Sequence, residues 1–175
     1  MKLESPEFTE DELEGFIDET VEHERGVLAG RLERASERLA ALAARIPTHQ
    51  EPGETAWNSH EVLAHIAVLS KFWGMAAYKV AKGDWTEFQL VENVRLRDVV
   101  GEQMAGLSDQ ELVAQARSDH ARSLAFLRSA SPAELRREVI ADGRWRLTAE
   151  DIARRSLVGH LEMHLEQLEA ALAAR

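Results

Sequence analysis

Apolar residues recur along this chain at spacings of three and four in four separate stretches. In the first, Val21, Leu28, Leu32, Ala35, Leu39, Leu42 and Ile46 follow one another at intervals of seven, four, three, four, three and four. That spacing lines them along one face of a helix, as in a bundle seam, and Pro47 ends it. The second stretch, from about Ser59 to Lys82, turns Val62, Ile66, Leu69, Trp73, Ala76 and Val80 inward and stops at Gly83. The third, from about Asp109 to Ser129, carries Leu112, Ala116, Leu124 and Leu127 on its stripe. The last runs from Ala149 to near the C-terminus through Ile152, Leu157, Leu161, Leu168 and Leu172. Four long amphipathic helices with little strand signal predict an all-α fold, a four-helix bundle.

The starts of these helices are written into the polar residues. Thr9-Glu10-Asp11-Glu12, Asn58-Ser59-His60-Glu61, Ser108-Asp109-Gln110-Glu111 and Ser131-Pro132-Ala133-Glu134 each pair a capping side chain with a glutamate three residues on. Each pair can satisfy two otherwise orphaned amide hydrogens. Thr148-Ala149-Glu150-Asp151 is a weaker variant. Helices two and three are separated by about 25 residues, more than a tight hairpin needs, and this length permits a crossover. Part of the connection, about Thr86 to Met104, has helical character, with Phe88, Val91 and Val94 expected to cover one end of the bundle. Before helix four, Glu138-Val139-Ile140 and Arg144-Trp145-Arg146-Leu147 flank Asp142-Gly143. Asp-Gly between short alternating runs signals a small hairpin, expected near the mouth of the site described below.

Length and composition place these elements in one domain, residues 1–175, with a core that needs no staples. The net charge of −10 is concentrated at one end: residues 1–24 hold ten acids and one lysine, leaving 21 acids against 20 bases in the rest. Residues 1–17 therefore read as an acidic N-terminal arm, most simply a solvated helix start whose carboxylates favour the positive end of the helix dipole. A body near neutrality argues against nucleic acid as a partner. No apolar run approaches the ~20 residues of a membrane span, no signal peptide is recognisable at the N-terminus, and a cytoplasmic location is the default. The chain has no cysteine, hence no thiolate ligand and no cysteine nucleophile.

The candidate chemistry lies in the histidines. His160 and His164 are four residues apart on helix four, in register with Leu157 and Leu168, so both imidazoles leave one inward face. His65 belongs to the inward stripe of helix two, between Val62 and Leu69. Two readings fit. Each could be a satisfied core histidine, or the three could share a divalent metal, because buried neutral imidazoles otherwise need several buried partners. Three neutral nitrogens leave such an ion an open position, which suits catalysis by lowering the pKa of a bound water or holding a thiolate. Glu61, Ser156 and Gln167 are candidates to orient the ligands, although for Glu61 the capping of helix two is the favoured role. His60 is about 140° around the helix from His65 and belongs on a flank. His23 and His49 read as surface residues, and His120 as a core residue beside Ala116 and Leu124.

Trp57-Asn58-Ser59-His60-Glu61-Val62-Leu63-Ala64-His65-Ile66 resembles the tryptophan-to-histidine entry of helix two in the DinB/YfiT superfamily. Thr148-Ala149-Glu150-Asp151-Ile152, followed by Gly159-His160-Leu161-Glu162-Met163-His164-Leu165-Glu166-Gln167-Leu168, resembles that family's last helix. Ser118 to Leu135 is similar in style, and the likeness spans the chain from about Asp18 onward. The resemblance implies a four-helix bundle with a long crossover between helices two and three. It also implies a metal triad of His65, His160 and His164, usually for zinc or nickel, and a homodimer. Relatives of this kind include thiol-dependent enzymes using bacillithiol or mycothiol, and several are stress-induced. Two functions follow as expectations: a metal-dependent transferase or hydrolase acting on a small molecule, or a non-catalytic stress-response protein that uses the metal or a small ligand structurally.

Overall fold

Thr9 opens the first helix by accepting the amide hydrogen of Glu12, whose carboxylate returns to the amide of Thr9. The same reciprocal box starts the helices after Asn58, Ser108, Ser131 and Thr148. The computed structural model describes the backbone of residues 9–46, 57–104 and 106–173, and their side chains except those of 93–99. Its elements run α1 (Glu10–Ala43), α2 (Ser59–Lys82), β1 (Glu87–Phe88), α3 (Leu90–Met104), α4 (Asp109–Ser129), α5 (Pro132–Leu135), β2 (Glu138–Ala141), β3 (Trp145–Thr148) and α6 (Ala149–Asp151). A π-helical segment (Ile152–Gly159) then leads into α7 (His160–Ala173). The protein is thus mostly helical, with seven α-helices and one small sheet among the described residues. Pro47 and His49 lie outside them.

Contacts between named pairs give the helix directions. Along α2 and α4, His60 meets Asp109, Ser70 meets His120 and Tyr78 meets Phe126, so these two helices run side by side in the same sense. The connection holding β1 and α3 carries the chain back to make this possible. α1 runs against α4: Ser36 bonds His120, while Arg25 donates to the carbonyls of Arg128 and Ala130 at the far end of α4. α1 runs with the last helical stretch, joined by Glu24–Arg154 at 2.7 Å, Arg31 Nε–Glu162 Oε1 at 3.0 Å, and Arg38–Glu169.

The inward stripes are as the spacing requires. Val62, Ile66, Leu69, Trp73, Ala76 and Val80 of α2 are all buried, as are Leu28, Leu32, Leu39, Leu112, Leu127, Ile152, Leu157, Leu161 and Leu168. Burying each large aliphatic side chain is worth about 1.5–3 kcal/mol, and this is the main force holding the helices together. α2 and α4 approach so closely that a Cβ at Gly74 would fall 2.3 Å from Ser123 Oγ. Gly83 ends α2 in the left-handed conformation (φ 77°), as a C-terminal glycine does. By contrast Leu13, Phe16 and Ile17 are exposed, and the first buried residue of α1 is Val21. Residues 10–17 of the expected arm are therefore the opening turns of α1 and stand clear of the core.

Three details depart from expectation. The hairpin forms where Asp142 (φ 49°) and Gly143 (φ 70°) reverse the chain, and β2 pairs antiparallel with β3. It does not lie near the histidines. Arg137, just ahead of β2, bonds the carbonyl of Ala81 at the end of α2, sixteen residues or roughly 24 Å along the helix from His65. The reason is length: the last helical stretch needs the residues from Ala149 to Gly159 to climb back to the site. β1 adds a parallel strand to β2 that spacing alone did not reveal. In the crossover, Phe88 is buried and stacks near Trp85, but Val91 is 61% exposed and covers nothing; the side chain of Val94 lies outside the described set.

Candidate metal centre

His65 stands in the second turn of α2, and its height is set by the cap at Asn58. Asn58 Oδ1 accepts from the Glu61 amide at 2.9 Å, and Glu61 Oε2 accepts from the Asn58 amide at 2.7 Å. Glu61 is accordingly held as the helix cap. Trp57, directly before this cap, lays its indole against the His65 ring with centroids 4.5 Å apart, and near-parallel to His164 at 6.4 Å. Nearly half of the Trp57 surface is open to solvent. The sequence puts this tryptophan at the entry of α2, eight residues ahead of His65, and that nearness is the one signal of the contact.

The other two histidines are delivered by the end of the π-segment. The His160 amide bonds the carbonyl of Arg155, five residues back, instead of the usual four. A wider turn rotates α7 relative to a continuous α-helix, and so sets which face carries His160 and His164. Gly159 lies at the tight point, where an added Cβ would sit 3.1 Å from the Arg154 carbonyl oxygen. π-Turns occur disproportionately at functional sites, yet nothing in the 3.6-residue periodicity announced this one.

From these supports the three rings converge. Ring centroids are 4.5 Å apart for His65–His164 and for His160–His164, and 5.8 Å for His65–His160. One nitrogen from each lies within 4.8 Å of the others. His65 and His160 are half-buried, and His164 is 6% exposed. His164 Nδ1 meets Gln167 Oε1 at 2.9 Å, while its Nε2 is buried with no hydrogen-bond partner. Burial pushes the His164 pKa below the usual histidine value, with Gln167 opposing in part, which favours the neutral ring. On its inner side a small cavity of about 10 Å³ is walled by Ile66, Leu69, Ser70, Leu157 and Leu161. That is at the lower limit for one water molecule.

The residues fit a divalent ion. A buried nitrogen lone pair without a partner is costly unless something fills its place. Neutral imidazoles suit zinc, nickel and neighbouring divalent metals. Two metal–nitrogen bonds of about 2.1 Å placed end to end reach about 4.2 Å, so the present separations are a side-chain adjustment away from a shared ion.

The other described histidines stay outside the cluster. His60 pairs with Asp109 at 2.6 Å on the flank, His23 is exposed, and His120 is fully buried elsewhere in the core. Ser156 lies within the π-segment. No helix among the described residues is long and apolar enough to cross a membrane.

No curated protein and no solved structure matches this chain. A family model does, and it covers residues 31–168, from the middle of α1 to Leu168 and with all three clustered histidines inside. On that match, over most of its length, the chain belongs to the DinB superfamily.

Proposed function

We propose that His65, His160 and His164 hold a divalent metal, zinc or nickel, and that the protein is a metal-dependent transferase or hydrolase acting on a small electrophile. The observation that carries this reading is the convergence of one nitrogen from each of three histidines on two helices, together with a His164 Nε2 that is buried and without a hydrogen-bond partner. When bound there, an ion with three neutral ligands supplies a Lewis acid that lowers the pKa of water or of a thiol at its open position. The chain has no cysteine, so any sulfur nucleophile must come from a small thiol cofactor such as bacillithiol or mycothiol. A cytoplasmic setting keeps such thiols reduced. The chain's own groups have separate tasks. Gln167 holds the proton on Nδ1 of His164, the aliphatic wall behind that ring excludes water, and Trp57 forms an aromatic wall on the solvent side. The frame is a four-helix bundle of α1, α2, α4 and α7 with a crossover through α3, working as a homodimer.

Untagged protein purified without added chelator tests the reading. Elemental analysis should find close to one zinc or nickel per chain, and His65→Ala and His160→Ala should each lower this to background. The loaded protein should then accelerate attack on an aromatic halide by water or by a low-molecular-weight thiol. Metal-free wild-type protein that takes up neither ion would refute the site. Metal binding without turnover by either nucleophile would instead leave the structural, stress-response role.

A further inference from the structure

We infer that Gln167 is a positioning residue of this centre, whose side-chain carbonyl selects the tautomer of His164 and so presents Nε2 to the metal. The inference rests on the metal reading above. A neutral imidazole carries one N–H and one lone pair, and a hydrogen bond at one nitrogen decides what the other offers. Gln167 Oε1, 2.9 Å from His164 Nδ1, can only accept. Nδ1 therefore bears the hydrogen, and Nε2 is left as a bare lone pair, buried and without a hydrogen-bond partner. An unrestrained histidine side chain prefers the opposite arrangement, with its hydrogen on Nε2. That form would leave a hydrogen, not a lone pair, at the buried nitrogen that has no partner.

Helix geometry makes the selection possible. Gln167 follows His164 by three residues on α7, so the two side chains share a face and meet one turn apart. The ring cannot escape the choice by flipping. It is held between His65 and His160, each 4.5 Å away by centroid, and the aliphatic wall that includes Ile66 and Leu161. Partners of this kind, fixing a ligand's free nitrogen, strongly affect metal affinity.

The tautomer can be read without any metal. In metal-free protein carrying 15N-histidine, long-range proton–nitrogen spectra at a pH where His164 is neutral should show its hydrogen on Nδ1. The signal is assigned by its loss in His164→Asn. Gln167→Met, similar in length but a poor acceptor, should move the hydrogen toward Nε2, whereas Gln167→Glu should keep it on Nδ1. In competition with a chromophoric chelator, Gln167→Met should bind Zn2+ about ten- to hundredfold more weakly, and Gln167→Glu at least as tightly as wild type. The thermal midpoint of the metal-free protein should be unchanged, which separates positioning from a merely structural role. A Gln167→Met variant that keeps the Nδ1 hydrogen, or that binds Zn2+ as tightly as wild type, would overturn the inference. Wild-type protein that shows the Nδ1 hydrogen yet binds neither Zn2+ nor Ni2+ would sink the metal reading itself, and the two failures are thereby told apart.

Discussion

His120 is completely buried, with Nε2 2.8 Å from Ser70 Oγ on α2 and Nδ1 3.0 Å from Ser36 Oγ on α1. A neutral imidazole with one donor and one acceptor suits two hydroxyls that can each turn either way. Burial lowers its pKa to about 4; nearby Asp119 raises it without outweighing the desolvation, and Arg117 lowers it further. The sign of the pH effect follows. Between about 6.5 and about 4 the unfolded chain binds a proton at this residue and the folded one does not, so stability rises with pH through that window. The full contribution is present above about 6.5, and about 3 kcal/mol is lost as the pH falls through about 4. Urea titrations at pH 7.5 and 4.5 should show this loss in wild type. His120→Leu, less stable overall because both serines lose a partner, should show a smaller loss. Equal pH slopes in the two proteins would contradict the assignment. His164 acts in the same direction, which is why the comparison with the variant decides the matter. From the sequence, His120 was legible as a core residue through its place beside Ala116 and Leu124. Its partners were not, since Ser36 and Ser70 lie 84 and 50 residues away along the chain.

At the scale of elements, the capping boxes are the most literal part of the chain. Each couples residues three apart, so chemistry and geometry are both local, and every box read from the polar residues forms as written. The box at Asn58 has a further role, since it sets the start of the helix that carries His65 and follows directly on Trp57. Asn58→Ala should lower stability by about 1 kcal/mol in urea unfolding, while Asn58→Asp, which still accepts from the Glu61 amide, should cost much less. An alanine variant as stable as wild type would show that the box contributes little. The π-segment is the opposite case. Its residues Ile152, Leu157 and Val158 are ordinary inward apolar side chains, and Gly159 is the sole local hint. The wide turn comes from packing against α2 on one side and α1 on the other, which no window of sequence contains. The hairpin divides in the same way. Asp142-Gly143 foretold its turn, but its seat at the far end of α2 follows from how many residues the last helix needs to return.

For the molecule as a whole, the charge asymmetry resolves into two parts. The acids of the first turns of α1 stand beyond the core, where Asp18 and Glu14 reach Arg136. Farther along, the charged flank of α1 engages the last helical stretch through Glu24–Arg154, Arg31–Glu162 and Arg38–Glu169, all partly exposed and each of modest worth. Because Val21 is the first buried residue of α1, deleting residues 1–17 should leave the core and the three-histidine cluster intact. Stability should change by less than about 1 kcal/mol, the usual range for surface ion pairs. Circular dichroism melts with elemental analysis check this, and a truncated protein that melts far lower or holds less of the proposed metal than the full chain would assign the arm a structural task. Taken alone, the sequence determined the helix boundaries, the inward faces and the three inward histidines, because periodicity and capping act over three or four residues. Only the tertiary structure decided that His65 meets two rings 95 and 99 residues later, that Trp57 walls them, that a π-turn aims α7, and that two distant serines hold His120. Those outcomes depend on the register and rotation of one helix against another, which close packing of the assembled core sets and local propensity does not.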